Sequence, residues 1–105
     1  MPALNKSGKG FVGVLAAELY FPDNGSLKGK RMYLRRIRDQ VTRGHGASFA
    51  EVGHQELWQR SRVLVAVASS DIDVLERTLD RVKVYLDGQE WVLVSCLTEV
   101  VDVDA

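Results

Sequence analysis

The chain has 105 residues, of which 46% are hydrophobic and 27% charged. This is the composition of one ordinary globular domain, and no apolar stretch approaches the ~20 residues of a membrane span. A single cysteine, Cys96, excludes an internal disulfide, and two histidines are too few for a zinc set, so no metal or cofactor is predicted. With neither a span nor a cleavable leader in view, we expect a cytoplasmic protein whose cysteine is reduced and buried.

The formal net charge of zero conceals a strong asymmetry along the chain. Residues 1–70 hold eleven Lys/Arg and five Asp/Glu, whereas residues 71–105 hold three and nine. We therefore expect an electrically polarised molecule, in which the average charge says little about any one face.

The first predicted element is a strand. Residues 1–9 are polar, small and without period, and they are predicted to be a flexible leader before a single domain at residues 10–105. Residues 11–21, FVGVLAAELYF, carry one charge, Glu18. Such an apolar run is typical of a strand that is buried on both faces.

The second predicted element is a strongly basic helix at residues 26–44, after a turn at residues 22–25. Its apolar side chains recur at helical spacing on one face. Ser26 is a suitable N-cap, and Gly44 stands where a left-handed C-terminal residue is expected. Seven basic side chains share this helix with one acid, Asp39.

Six of these basic residues fall outside the apolar face, and they are the candidate nucleic-acid-binding residues: Lys28, Arg31, Arg35, Arg36, Arg38 and Arg43. Lys30 falls on the apolar face instead. Its ammonium group must therefore extend to solvent or meet a carboxylate, for which Glu51 is one candidate.

The remaining pattern predicts three strands and a second helix. The strands are placed at residues 47–53, 62–68 and 90–101, the helix at 71–87 between Ser70 as N-cap and Gly88, and an acidic tail at 102–105. The order β-α-β-β-α-β predicts an α+β, ferredoxin-like split fold. This fold has a four-stranded antiparallel sheet in the order 4-1-3-2, with both helices on one face.

One face of that sheet should lack a cover. Two helices can cover only one face, yet both faces of the first strand are apolar. Self-association through the open sheet face is the simplest cover, so we expect a homodimer or a larger homo-oligomer. The alternatives are that a partner protein covers this face, or that the apolar surface stays exposed to solvent.

The basic helix indicates contact with RNA phosphates, without reading of the base sequence. The alternative is a solvated face that only keeps a protein-interaction module in solution. Recognition by the sheet, as in RNA-recognition motifs, needs aromatic residues that residues 63–67 lack. A P-loop is excluded because Asn24 stands where that motif needs glycine, and Arg31 where it needs serine or threonine.

The segment between the second and third strands supplies two candidate partner-binding residues, His54 and Trp58. Trp58 either folds back onto the end of the sheet or stays exposed as an anchor for a partner. Catalysis by Glu51 and His54 is a further alternative, but we predict a protein that is not an enzyme and name no catalytic residue.

Two motifs resemble those of the small bacterial family of unknown function typified by YlxP. The matching residues are Ser26, Leu27, Lys28, Lys30 and Arg31 in the first motif, and Ala50, Glu51, Val52, Leu57, Trp58, Gln59 and Arg60 in the second. The resemblance implies the ferredoxin-like fold. It also implies a ribosome or RNA connection, because genes of this family often neighbour those for translation initiation and ribosome maturation factors. It implies no catalytic residues.

One departure from the family pattern concerns the start of the basic helix. Gly29 stands where members commonly have glutamate, which would complete a capping box with Ser26. Its replacement by glycine should cost the helix about 1 kcal/mol.

Overall fold

A computed structural model describes residues 8–88 and 90–104. It has six elements: β1 (Lys9–Tyr20), α1 (Leu27–His45), β2 (Ser48–Gly53), β3 (Arg60–Ser69), α2 (Ile72–Leu86) and β4 (Val92–Asp104). The strands form one antiparallel sheet in the order β2-β3-β1-β4, which is the predicted order read from the other edge. The ferredoxin-like split fold is therefore confirmed. Neither helix in the described ranges is long and apolar enough to cross a membrane.

The two faces of the sheet have different environments. Odd-numbered residues of β1 and β3, such as Leu15 and Val65, are buried beneath the helices and form the core. Even-numbered residues point to the other face, where Val12 and Leu64 are exposed. The described residues therefore leave an apolar face of the sheet uncovered, as the sequence predicts, and we call it the open face.

An aromatic cluster closes one end of the core. The Phe21 and Tyr33 rings stack at 5.0 Å between centroids, and Trp91 meets both of them edge-on. The Trp91 indole Nε1 donates a hydrogen bond of 2.9 Å to the carbonyl of Leu86. Trp91 can therefore be buried without leaving its N–H unsatisfied.

The helix ends differ from the predicted ones by two residues or fewer. Helix α1 ends at Gly46 rather than Gly44, because Gly46 has the left-handed conformation with φ of 62° and donates to Thr42. The N-cap of α2 is Asp71 rather than Ser70, because the Asp71 carboxylate accepts from the amides of residues 73 and 74. A carboxylate at this position also complements the helix dipole.

The C-terminal segment that was predicted to be an acidic tail belongs to β4. This strand runs to Asp104, because it pairs along the whole of β1 from Lys9 onward. Lys9 lies 3.2 Å from Asp102 and begins β1, so it is not part of a leader. Residues 1–7 of the predicted leader lie outside the described residues.

The glycine at position 29 is explained by the close approach of the Asn24 side chain, rather than by the missing capping box. A β-carbon at this position would overlap Oδ1 of Asn24, a buried side chain. Ser26 caps the helix as predicted, with its hydroxyl accepting from the Gly29 amide at 2.9 Å. The glycine thus lets Asn24 fold against the first turn of α1.

We expect Gly29→Ala to lower the free energy of unfolding by about 1–3 kcal/mol, because the added methyl group displaces Asn24. Gly44→Ala is the matched control within the same helix. Its methyl group would meet only the exposed, flexible side chain of Gln40, so it should raise stability by about 0.5–1 kcal/mol. Urea unfolding of both variants measures the difference. A stabilising Gly29→Ala would contradict the overlap with Asn24.

Candidate functional site

Four of the predicted basic residues form one continuous row on α1. Spacings of three and four residues place Lys28, Arg31, Arg35 and Arg38 along one side of the helix, and we call this set the basic row. It rises about 15 Å along the axis. All four side chains are exposed, and none forms an ion pair with a carboxylate of the described residues. The basic row therefore carries positive charge that no carboxylate of the described residues neutralises.

The surroundings of the basic row favour an anion. Arg31, Arg35 and Arg38 line a shallow groove together with Leu34. The Arg38 guanidinium lies 5.7 Å from the centre of the Phe49 ring, which orients it along the surface. The first turn of α1 holds no acidic residue, so the positive end of the helix dipole adds to the charge of Lys28.

The other two candidates, Arg36 and Arg43, lie outside the row. The Arg36 guanidinium contacts Glu90 at 3.0 Å and lies 5.1 Å from the Tyr33 ring centre. This hydrogen bond raises the pKa of Arg36 and lowers the pKa of the Glu90 carboxyl. Arg36 and Arg43 both border a second groove, beside Tyr85. The structure thus divides the six candidates into a row of four and a pair at this second groove.

Lys30 is buried and paired with Glu51, as its position on the apolar face predicts. Its side chain is 2% exposed, and its ammonium group lies 3.0 Å from the Glu51 carboxylate. The same group donates to the carbonyls of His54, Gln55 and Arg60 at 2.8–3.2 Å. The Ser61 hydroxyl donates to the same Glu51 carboxylate at 2.6 Å. Lys30 therefore holds the β2–β3 loop and has no donor left for a ligand.

Asn24 holds the same loop from a second point. Its side-chain amide donates to the carbonyls of Ser26 and Trp58, at 2.8 and 2.6 Å. The backbone N–H of Phe21 donates to the carbonyl of Gln59 at 2.8 Å. The loop backbone is thus fixed to the residue that follows β1 and to the start of α1.

Trp58 stays exposed although its backbone is fixed. Its side chain is 55% exposed and that of the neighbouring Leu57 is 48% exposed. The interpretation that Trp58 folds back onto the sheet is therefore wrong. The physical reason is that Trp91, with Phe21 and Tyr33, already fills this end of the core. The role of Trp58 as an anchor for a partner stays a prediction.

We expect Trp58→Phe to change stability by less than about 0.5 kcal/mol, because the side chain is mostly in water. The chain has only two tryptophans, so this variant reports on Trp91 alone. Its fluorescence maximum should shift to shorter wavelength, since the exposed indole is lost and the buried one remains. An unchanged maximum would show that both indoles have the same environment.

His54 and Glu51 are each engaged with other residues. The Glu51 carboxylate binds Lys30 and Ser61, whereas the His54 Nε2 lies 3.2 Å from the Glu18 carboxylate on the open face. His54 has a left-handed backbone, with φ of 58°. The structure therefore gives no support to catalysis by a Glu51–His54 pair.

Sequence reasoning missed Glu18 as a site residue, although it is the only acidic residue in β1. Its side chain is 14% exposed and lies 3.5 Å from Arg62 and 3.9 Å from Arg60. A charge inside an otherwise apolar strand was the available signal, because such a residue needs partners on neighbouring strands. Cys96 is half-buried, and burial raises the pKa of its thiol.

The fold and the surface together define a small ferredoxin-like domain with a basic first helix. Residues 12–97 match the family described as "Protein of unknown function (DUF503)", and the chain belongs to this family. It is 37% identical over 77 residues to the uncharacterized protein YlxP of Bacillus subtilis (strain 168), a match that covers 73% of this chain and 84% of that protein. The resemblance found from the two motifs is confirmed, and the function of the family is uncharacterised.

Proposed function

We propose that this protein is a cytoplasmic, non-enzymatic RNA-binding protein that contacts the phosphate backbone through the basic row. The observation that carries the proposal is that Lys28, Arg31, Arg35 and Arg38 are exposed, adjacent and unpaired within the described residues, in a chain whose net charge is zero. Charges that only keep a protein in solution are usually interspersed with the opposite sign. A one-sided row is typical of a surface that follows a polyanion.

Arginine suits this role because its guanidinium group donates two parallel hydrogen bonds to a phosphate. Each neutralised phosphate releases condensed counterions, which supplies the binding free energy. Nothing in the row is placed against base edges, so little sequence preference is expected. RNA is the polyanion that we name, because the family resemblance implies a connection with the ribosome.

The test is the affinity of the protein for a fluorescein-labelled single-stranded RNA, measured by anisotropy as KCl is raised. Four phosphate contacts, at a log–log slope of about −0.7 each, give a total slope of about −2.8. Between roughly 50 and 200 mM salt, the affinity should therefore fall by about fiftyfold. Absence of binding at low salt would favour the solubilising role of the helix. Tight binding that does not depend on salt would place the RNA contact elsewhere.

A further inference from the structure

The open face consists of an apolar area and a charged end, as the strand register shows. Val12, Val14 and Ala16 form its centre on β1. Side chains of β3 and β4 on the same face flank them: Leu64, Ala66 and Ala68 on one side, and Leu97, Glu99 and Val101 on the other. Leu97 is 64% exposed and Val101 51% exposed. Apolar area of this extent on three adjacent strands is typical of an interaction surface.

The charged end carries more positive than negative charge. Arg60 and Arg62 approach the same carboxylate, that of Glu18, which cannot neutralise both of them. His54 also contacts this carboxylate, so three side chains share it. Among the described residues, one arginine charge is therefore left without a counterion on the open face.

The apolar area contains the opposite charge. Glu99 lies on β4 opposite Val14, with Leu97 and Val101 as its neighbours on the same face. It is exposed and forms no ion pair with a described basic residue. Any apolar surface that covered this face would bury the Glu99 carboxylate, which is costly unless the covering surface supplies a base.

We propose that the open face is the interface between two copies of this chain, related by a two-fold axis that passes over Ala16. The axis brings Arg62 of each copy against Glu99 of the other. The surplus positive charge of one copy then neutralises the buried carboxylate of its partner. This complementarity selects a second copy of the chain as the occupant of the face.

The strand register places the axis. Arg62 lies opposite Glu18, and Glu99 lies opposite Val14, on strands that flank β1 on opposite sides. Ala16 therefore lies midway between Arg62 and Glu99, both along the strands and across the sheet. The axis lies in the interface plane over Ala16 and runs perpendicular to the line from Arg62 to Glu99. A rotation of 180° about it places Arg62 of one copy over Glu99 of the other. It also sets Ala16 against its own copy, where a small side chain permits close approach.

The two sheets would then cross at a steep angle, in the orthogonal class of sheet packing. A stable interface needs about 800 Å² from each partner. This chain exposes 6711 Å² in total, so the open face has to supply roughly one-eighth of its surface. The interface is isologous, so it closes after two copies.

The first test compares two exposed apolar residues by sedimentation velocity at micromolar concentration. The wild type should sediment as a dimer, and Leu97→Lys should weaken the dimer by at least about a hundredfold, because it buries an extra charge at the interface. Val84→Lys is the matched control, since Val84 is 73% exposed on α2, away from the sheet. It should remain dimeric. A monomeric wild type, or a dimeric Leu97→Lys, would overturn the proposal.

The second test exchanges the charges. Glu99→Arg alone and Arg62→Glu alone should each be monomeric, because every interface pair then has like charges. An equimolar mixture of the two variants should form a heterodimer, since both pairs are again opposite in sign. A mixture that stays monomeric, or a dimeric Glu99→Arg, would overturn the pairing. If circular dichroism shows that Arg62→Glu does not fold, the comparison of Leu97 with Val84 still decides whether this face is the interface.

Discussion

Replacing Lys30 with alanine is expected to lower the free energy of unfolding by about 3–5 kcal/mol. The substitution leaves the Glu51 carboxylate without its cation in a site where the lysine is 2% exposed. It also removes the donor that binds two carbonyls of the β2–β3 loop and that of Arg60 at the start of β3. Unpaired buried polar groups retain the cost of desolvation, which makes the loss larger than that of an ordinary surface ion pair.

Urea unfolding measures this loss, and Lys28→Ala is its control. Lys28 lies two residues away on the same helix and is exposed, so its removal should change stability by less than about 0.5 kcal/mol. The double variant Lys30→Met with Glu51→Gln should recover part of the loss, because it removes both charges together. A loss below about 1 kcal/mol for Lys30→Ala would contradict a structural role for this lysine.

The fold could be predicted because the apolar pattern separates central from edge strands. Both faces of β1 and β3 are apolar, and these are the two central strands of the sheet. The burial of Lys30 could also be predicted, since helical geometry fixes its direction from the sequence alone. These inferences need only local spacing.

The contacts that sequence reasoning missed depend on long-range register. His54 meets Glu18 across 36 residues, and Arg36 meets Glu90 across 54 residues. Neither pair follows from spacing along the chain. The extension of β4 to Asp104 was missed because its alternating acids are typical of a solvated tail, whereas pairing with β1 keeps them in a strand.

The double reversal Arg35→Glu with Arg38→Glu is expected to lower the affinity for single-stranded RNA by about a hundredfold at low salt. It removes two of four phosphate contacts and adds two repelling carboxylates, so the log–log salt slope should weaken from about −2.8 to about −1.4. Folding should be affected by only about 1 kcal/mol, since both side chains are exposed and only the contact of Arg38 with Phe49 is lost.

Arg77→Glu with Arg81→Glu is the matched control for that experiment. Both residues are exposed on α2, and their reversal changes the net charge by the same amount. The control should keep most of the wild-type affinity and the wild-type slope. Equal losses in the two double variants would indicate a response to net charge rather than to the basic row.

The two proposed surfaces are independent of each other. The basic row lies on α1, which packs on one face of the sheet, whereas the dimer interface is the opposite face. A dimer would therefore carry two basic rows on its outer sides. Binding of both rows to one long RNA would raise the apparent affinity without any new contact.

Sedimentation with bacterial ribosomes through a sucrose cushion, as KCl is raised, tests RNA binding by the basic row most directly. The wild type and the Arg77/Arg81 control should pellet with ribosomes at low salt and be released progressively as salt rises. The Arg35/Arg38 reversal should remain in the supernatant throughout. A wild type that stays in the supernatant at the lowest salt, or a reversal variant that pellets as well as the wild type, would contradict a role for the basic row.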